Sequence, residues 1–145
     1  MDPFYREFEL TKPVSNYFIN QGYKVIKEIR IGYCRADLVA FNEDRVIAIE
    51  IKLSDRKKAI IQAKNYQLGA DYVYLVFPLM KSYSLLRKSE YTLQKEGIGL
   101  LIVNEITCKV SKIIDAKPSK RKFASITLKE IRRSRENIAN KFKFY

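Results

Sequence analysis

Residues 45–53 read Arg-Val-Ile-Ala-Ile-Glu-Ile-Lys-Leu, and the assignment of the fold starts from this stretch. Its apolar and β-branched residues predict a β-strand. Successive side chains of a strand point to opposite faces, so Glu50 and Lys52 share one face. A carboxylate and an ammonium group therefore lie side by side in an apolar strand, where either charge alone would be costly to bury.

The residues before this strand predict its hairpin partner. Asp37 begins the run Asp-Leu-Val-Ala-Phe at residues 37–41, and the polar residues 42–44 can form a short turn. Across such a hairpin, Asp37 can lie near Glu50. Two carboxylates at one point of a sheet repel each other unless a divalent cation or the lysine lies between them. The residues alone leave two interpretations open, a structural ion pair or a functional site.

The rest of the chain predicts an α/β fold with a mixed β-sheet flanked by helices. Apolar residues on both faces of the strands indicate a sheet that is covered on both sides. The first predicted helix is capped by Thr11, with Pro13 in its first turn and Gly22 at its end, and strands follow at about 23–31, 37–41 and 45–53. A second helix, capped by Ser54 or Asp55, runs to Leu68. The remaining predicted elements are a strand at 72–77, a helix at 82–96, and strands at 99–104 and 109–114.

Length and composition predict one domain with a hydrophobic core. The chain has 145 residues, 47% of them hydrophobic, and domains are typically of this size. We divide it into a core at 1–116 and a basic C-terminal extension at 117–145, which contains the end of a linker-like stretch at 116–121 and a predicted helix at about 127–143. The N-terminus does not resemble a signal peptide, and no apolar run is long enough to span a membrane. We therefore expect a soluble, cytoplasmic protein.

The absence of histidine excludes several reaction classes. A chain with no His cannot form a Ser-His-Asp or Cys-His catalytic group or a histidine-ligated zinc site. Acid–base chemistry would require carboxylates, Lys, Tyr, Cys or a metal-bound water. Cys34 and Cys108 are too few for a tetrahedral metal site, and we expect free thiols in a reducing compartment.

The charge of the chain favours a polyanionic partner. Lys and Arg number 28 and Asp and Glu number 16, a formal net charge of +12, and about two thirds of the excess lies in residues 105–145. Such a charge attracts nucleic acid through phosphate contacts and counterion release. Two alternatives to nucleic-acid binding remain: a solvated basic face with no partner, and a basic tail that binds an anionic membrane.

The two hairpin strands resemble the PD-(D/E)xK nuclease superfamily. The matching segments are Arg-Ala-Asp-Leu-Val-Ala at 35–40 and Ile-Ala-Ile-Glu-Ile-Lys at 47–52, followed at once by a helix. The superfamily has the restriction-endonuclease-like fold and includes archaeal Holliday junction resolvases and RecB-like nucleases. Its element order is matched over about residues 5–78. Ala36 stands where the superfamily pattern has Pro.

The resemblance implies a magnesium-dependent nuclease. By this likeness Asp37 and Glu50 would bind Mg²⁺, for which Mn²⁺ would substitute, together with the backbone carbonyl of Ile51, and Lys52 would activate water or stabilise phosphate charge. Some members add a glutamate from the first helix, and Glu9 is our choice over Glu7 and Glu28. Two carboxylates and a carbonyl suit Mg²⁺, which takes oxygen ligands and retains several waters.

The helix after Lys52 carries Gln62 and Tyr66 on one face, and this pair resembles the Gln-x-x-x-Tyr motif of the RecB-like branch. The likeness places Gln62 in the catalytic site and Tyr66 against nucleic acid, whereas Tyr66 could equally be a core residue. The remaining residues predicted to bind nucleic acid are basic: Arg35, Arg56, Lys57, Lys58, Lys120, Arg121, Lys122, Arg132 and Arg133.

These features together predict a nuclease that hydrolyses DNA. A chain this short has little room for a separate target-recognition domain, which favours cleavage at junctions, flaps or ends over a long sequence-specific site. The alternatives are an inactive nucleic-acid-binding module on the same fold, and a basic RNA-binding protein in which the Glu-Ile-Lys triplet is accidental. A homodimer would place two sites on two strands.

Overall fold

The computed structural model describes residues 7–120, with the side chain of Phe8 excepted. A short 3-10 helix at Glu7–Leu10 leads directly into the first α-helix. The elements that follow are α1 (Thr11–Ile19), β1 (Lys24–Ile31), β2 (Cys34–Phe41), β3 (Val46–Ile51), α2 (Arg56–Tyr66), β4 (Tyr72–Pro78), α3 (Leu79–Glu96), β5 (Gly99–Val103) and β6 (Val110–Ile114).

The described strands form one six-stranded mixed sheet in sequence order, β1-β2-β3-β4-β5-β6. β1, β2 and β3 pair antiparallel through hairpin turns. β3, β4 and β5 pair parallel, with α2 and α3 as the crossover connections, and β6 returns antiparallel to β5. This confirms the predicted α/β architecture with a mixed sheet.

Both faces of the sheet are covered, as the apolar strands predicted. One face packs against α2 and α3 through a cluster that includes Ala63, Tyr66 and Leu93. The other face packs against α1 through Val14 and Phe18. β3, β4 and β5 are buried almost throughout because they lie in the middle of this three-layer arrangement.

The predicted helix boundaries hold at some ends and fail at others. Asp55 caps α2, as predicted, and its side chain accepts a hydrogen bond from the Lys58 amide at 3.2 Å. Thr11 is not a cap, because the 3-10 helix continues into α1 and places Leu10 at the cap position with no side-chain bond. α3 begins at Leu79, directly after Pro78, rather than at 82, since Pro tolerates the position before a helix.

The first four residues of the predicted C-terminal extension pack back on the core. The Lys117 amide donates to the Gly97 carbonyl at 2.9 Å, and the Ser119 amide donates to the Asp71 carbonyl at 2.8 Å. The predicted helix at about 127–143 lies outside the described residues. Within residues 7–120 no helix is both long and apolar enough to cross a membrane.

Candidate functional site

The β2–β3 hairpin places Asp37 opposite Glu50. Its turn is held by Asn42, whose side chain accepts hydrogen bonds from the amides of Asp44 and Arg45, both at 2.8 Å. The strand pairing then runs as far as Leu38 opposite Ile49. Beyond that pair the strands separate, and Asp37 Oδ2 accepts the Ile51 amide at 2.7 Å in place of a ladder bond. The gap between the two strands is therefore lined by carboxylates.

Glu50 is the most deeply buried charged residue among those described, with 2% of its surface exposed. The Lys52 ammonium lies 3.4 Å from its Oε2, and the Tyr66 hydroxyl lies 2.8 Å from its Oε1. The same hydroxyl lies 2.7 Å from the Arg35 carbonyl. A phenol has one proton, so Tyr66 donates to one of these two oxygens at a time. A protonated Glu50 could donate to Tyr66 while Tyr66 donates to Arg35.

The pKa values of Glu50, Asp37 and Tyr66 are all raised in the folded protein. Burial, and then the nearby Asp37 carboxylate, raise the pKa of Glu50 to about 7, although the Tyr66 hydrogen bond and Lys52 oppose the shift. Burial also raises the pKa of Asp37, against the opposing effects of the Ile51 amide and Lys52. Burial raises the pKa of the Tyr66 hydroxyl as well, so it stays protonated and available to donate. One lysine does not compensate two carboxylates, and this imbalance favours a proton or a cation.

We predict that the metal-free protein loses stability as the pH rises from about 4.5 to 7.5. The pKa of Glu50 is higher in the folded protein than in the unfolded chain, so its contribution is fully present below pH 4.5 and is lost through pH 7. The size of the loss is on the order of 3 kcal/mol. Urea unfolding of wild type and Glu50→Gln across this range measures it. A wild-type profile no steeper than that of the variant would contradict the prediction.

An irregularity in the sheet lies beside Asp37. Glu28 stands opposite Asp37 in the β1–β2 register and has a φ of 56°, an uncommon conformation for a residue with a side chain. On β1, Ile26 and Ile29 both pack in the hydrophobic cluster beneath α2 and α3, although they are three positions apart in the strand. Ordinary alternation would place them on opposite faces. The irregularity also brings the Glu28 charge into the surroundings of Asp37, where it contributes to the raised pKa.

Glu7, rather than Glu9, faces the site. Lys52, Asp37 and Lys58 are the charges that act on Glu7, whose pKa is raised by burial first. Glu9 instead lines a separate cavity with Lys12, Asn16 and Cys108 among its neighbours. In a 3-10 helix, residues two apart point in different directions, and the two glutamates separate accordingly. The sequence pattern does not distinguish this 3-10 turn from an α-helix, and so does not separate Glu7 from Glu9.

The predicted contact between Tyr66 and nucleic acid is wrong. Tyr66 has no exposed surface, and its hydroxyl reaches Glu50 from beneath the sheet. The hydrogen bond between this hydroxyl and Glu50 restricts the orientation of the carboxylate. Gln62, one helical turn earlier on the same face, has a buried side-chain oxygen without a hydrogen-bond partner in the described structure. Such an atom is usually paired with water or a ligand in the working protein.

The first turn of α2 forms one wall of a basic groove. The groove, a cavity of about 340 Å³, begins at residues 53–55, which directly follow Lys52 in the chain, and runs between α2 and α3. Its cationic residues are Arg56, Lys57, Lys81 and Lys88. Arg56 is held in place by a 3.1 Å bond to the buried Ser89 hydroxyl. Lys81 and Lys88 were not among the predicted binding residues, although their seven-residue spacing places them on one face of a helix.

The other predicted basic residues are distributed around the site. Arg35, Lys57 and Lys58 are exposed, and Arg35 lies two residues before Asp37. Lys120 lines a separate cavity beside the β1–β2 hairpin. Arg121, Lys122, Arg132 and Arg133 lie outside the described residues. Cys34 and Cys108 are free thiols, as expected.

The donor set fits a hard divalent cation with water ligands. Within residues 7–120 no three side chains of the types His, Cys, Asp and Glu converge on one point. Asp37 and Glu50 could supply two carboxylates and Ile51 a backbone carbonyl, and Mg²⁺ characteristically completes such a partial set with water. Glu7 could then act through a bound water. The uncompensated carboxylate charge is the feature of this structure that agrees with such a cation.

The sheet and its covering helices define a restriction-endonuclease-like α/β fold. A similar structure is an XisH family protein from Nostoc punctiforme PCC 73102, with a TM-score of 0.57 and 18% sequence identity over 75% of this chain and 98% of that one. An fdxN element excision controlling factor protein from Anabaena variabilis matches with the same identity and coverage and a TM-score of 0.54. These likenesses establish the fold.

A more distant match is SfsA of Pyrococcus furiosus in complex with Ca²⁺, with a TM-score of 0.40 and 14% identity over 77% of this chain and 61% of that one. No family model matches the chain. No curated protein matches it significantly in sequence.

Proposed function

We propose that this protein is a Mg²⁺-dependent nuclease that hydrolyses phosphodiester bonds of DNA. The observation that carries the proposal is the carboxylate pair formed by the half-buried Asp37 and the buried Glu50, with Lys52 at 3.4 Å from Glu50 in the gap where β2 and β3 separate. Two partly compensated carboxylates beside a basic groove suit a cation and a phosphate together. Bound Mg²⁺ would lower the pKa of its water and neutralise charge on the phosphate.

The residues of the site have distinct tasks in this proposal. Asp37 and Glu50 would hold the cation. Asp37 is oriented by its hydrogen bond with the Ile51 amide, and Glu50 is oriented by its hydrogen bond with the Tyr66 hydroxyl. Lys52, with 13% of its side chain exposed, reaches the surface of the site and can stabilise negative charge on a phosphate. Gln62 has a free acceptor for a water molecule. Glu7 replaces Glu9 as the proposed additional carboxylate.

The basic groove supplies a path for the nucleic-acid backbone. Arg56, Lys57 and Lys58 occupy the first turn of α2, where the helix dipole disfavours each cation by about 0.3–1 kcal/mol. A bound phosphate would reverse that cost, because an anion is favoured at a helix N-terminus. Lys81 and Lys88 continue the positive surface along α3. Cations that the helix alone disfavours are best explained by an anionic ligand.

A cleavage panel tests the function. Labelled single strand, duplex, flap and four-way junction DNA are incubated with wild type in Mg²⁺, Mn²⁺ or EDTA. We expect cleavage with either metal, none in EDTA, and a preference for substrates with a junction, flap or end. Salt-sensitive binding of DNA without cleavage in any metal would refute the nuclease and favour the inactive binding module instead. A matching RNA panel determines whether the activity is restricted to DNA.

A further inference from the structure

A second cavity lies at the C-terminal end of α2, whereas the basic groove lies at its N-terminal end. It has a volume of about 690 Å³, within the range of small-molecule sites. Its walls come from the tip of the β1–β2 hairpin, the end of α2, the end of α3 and the returning residue Lys120. The lining residues that matter here are Tyr33, Lys64, Lys95, Glu96 and Lys120.

Tyr33 presents an aromatic ring to solvent from a fixed backbone. The residue is 86% exposed, yet the Tyr33 amide donates to Asn65 Oδ1 at 3.0 Å. Asn65 also donates to the Ile31 carbonyl at 2.7 Å, so one side chain of α2 ties down both sides of the turn. Gly32 between them has a φ of 62°, and a Cβ there would collide with Asn65. The backbone of the hairpin tip is therefore fixed in position by Asn65, and it carries an exposed aromatic side chain.

The cations around this ring exceed the anions. Three lysines line the cavity against one glutamate, and Glu96 is engaged by Lys64 at 3.6 Å. Lys95 and Lys120 form no ion pair within residues 7–120. Nucleic-acid strands are recognised by this combination, in which aromatic rings stack on bases and lysines contact phosphates. An apolar protein surface would match this cavity less well, because it would leave the lysine charges without partners.

The cavity is connected to the carboxylate site through β2. Tyr33 and Asp37 are four residues apart in the chain, about 13 Å along an extended strand. Arg35 lies between them, and its carbonyl is bound by the same Tyr66 hydroxyl that contacts Glu50. A nucleic-acid strand with one phosphate near Asp37 could place a base on Tyr33, roughly three or four nucleotides away along that strand.

We propose that Tyr33 stacks on an unpaired base of the substrate, with Lys64, Lys95 and Lys120 contacting its phosphates. This inference rests on the proposed function and specifies its substrate class: nucleic acid with a single-stranded segment beside the cleaved bond. In an intact duplex the bases are already stacked on one another and unavailable to Tyr33. A flap, a frayed end or an open junction would supply such a base.

The test is a binding experiment in EDTA, so its outcome does not depend on catalysis. Oligonucleotides that carry 2-aminopurine, single-stranded or in duplex, are titrated with wild type, Tyr33→Ala, Tyr33→Phe and the control Tyr83→Ala. Tyr83 is 76% exposed and lies about 18 Å along α3 from Lys95. Because both tyrosines are exposed, the variants should fold, and thermal unfolding verifies this.

We expect Tyr33→Ala to weaken single-strand binding about 5- to 100-fold, as the loss of one base–aromatic stack does, and to remove the quenching of 2-aminopurine. Tyr33→Phe and Tyr83→Ala should behave like wild type, and duplex binding should change less than about twofold. Unchanged single-strand affinity in Tyr33→Ala, or an equal loss on duplex, would overturn the stacking pocket. Cleavage by wild type could still be present in that case, so the two proposals fail separately.

Discussion

Replacing Glu50 by Gln should reduce metal-dependent cleavage by about 1,000-fold or more. The substitution keeps the shape of the side chain and leaves an oxygen for Tyr66, but removes the charge that would bind the cation. A cation contributes several kcal/mol of charge stabilisation at such a site, and each 1.4 kcal/mol corresponds to about tenfold in rate. Single-turnover cleavage of the preferred DNA in Mg²⁺ measures the effect, and calorimetry should show weakened Mg²⁺ binding.

Loss of folding cannot account for this expected inactivation. The pKa of about 7 means that wild type holds a costly buried charge above neutral pH, and Gln removes that charge. We therefore expect the variant to be at least as stable as wild type at pH 8. Glu43, exposed in the β2–β3 turn, provides the control: Glu43→Gln should retain full activity. Cleavage by Glu50→Gln within about tenfold of wild type would contradict the site assignment.

The second large effect should follow from Lys52→Met, which we expect to lower cleavage about 100- to 1,000-fold. Met retains most of the length of the side chain and removes its charge. The positive charge is lost where a phosphate would develop negative charge, an effect comparable to removing a donor that stabilises a transition state. The readout is the rate under single-turnover conditions at saturating enzyme.

Measurements of Mg²⁺ binding distinguish the proposed role of Lys52 from that of the two carboxylates. Lys52 lowers the pKa of Glu50, so its removal should shift the pH dependence of Mg²⁺ binding upward while binding at pH 8.5 persists. Lys24→Met, at an exposed position of β1, is the matched control and should behave as wild type. If Lys52→Met abolished both Mg²⁺ binding and folding, Lys52 would be a structural ion-pair partner, and its proposed catalytic role would be wrong.

Local sequence patterns were sufficient to place Asp37, Glu50 and Lys52 together. A period of two assigns faces along a strand, and a short polar turn determines which residues pair across a hairpin. The observed pairing of Phe41 with Val46 places residue 37 opposite residue 50 by simple continuation. Such short-range geometry depends little on the rest of the protein, and it also predicted the cap at Asp55.

Residues that meet through packing of distant elements were harder to assign. Tyr66 was a candidate for both core and interface, and only the docking of α2 on the sheet decided that it lies buried against Glu50. The choice between Glu7 and Glu9 depended on the 3-10 geometry that precedes α1. The exposed tyrosine at the hairpin tip could not be distinguished from nine others by composition.

The element types, the mixed sheet, the positive charge and the carboxylate pair follow from local sequence, because periodicity, turn length and charge are properties of neighbouring residues. Three features depend on the packed structure: the side chains that reach the carboxylate pair, the burial that lets Glu50 hold a proton near neutral pH, and the exposure of Tyr33 beside three lysines. Burial and long-range contacts arise from the layering of helices on the sheet, and no local pattern specifies where those layers meet.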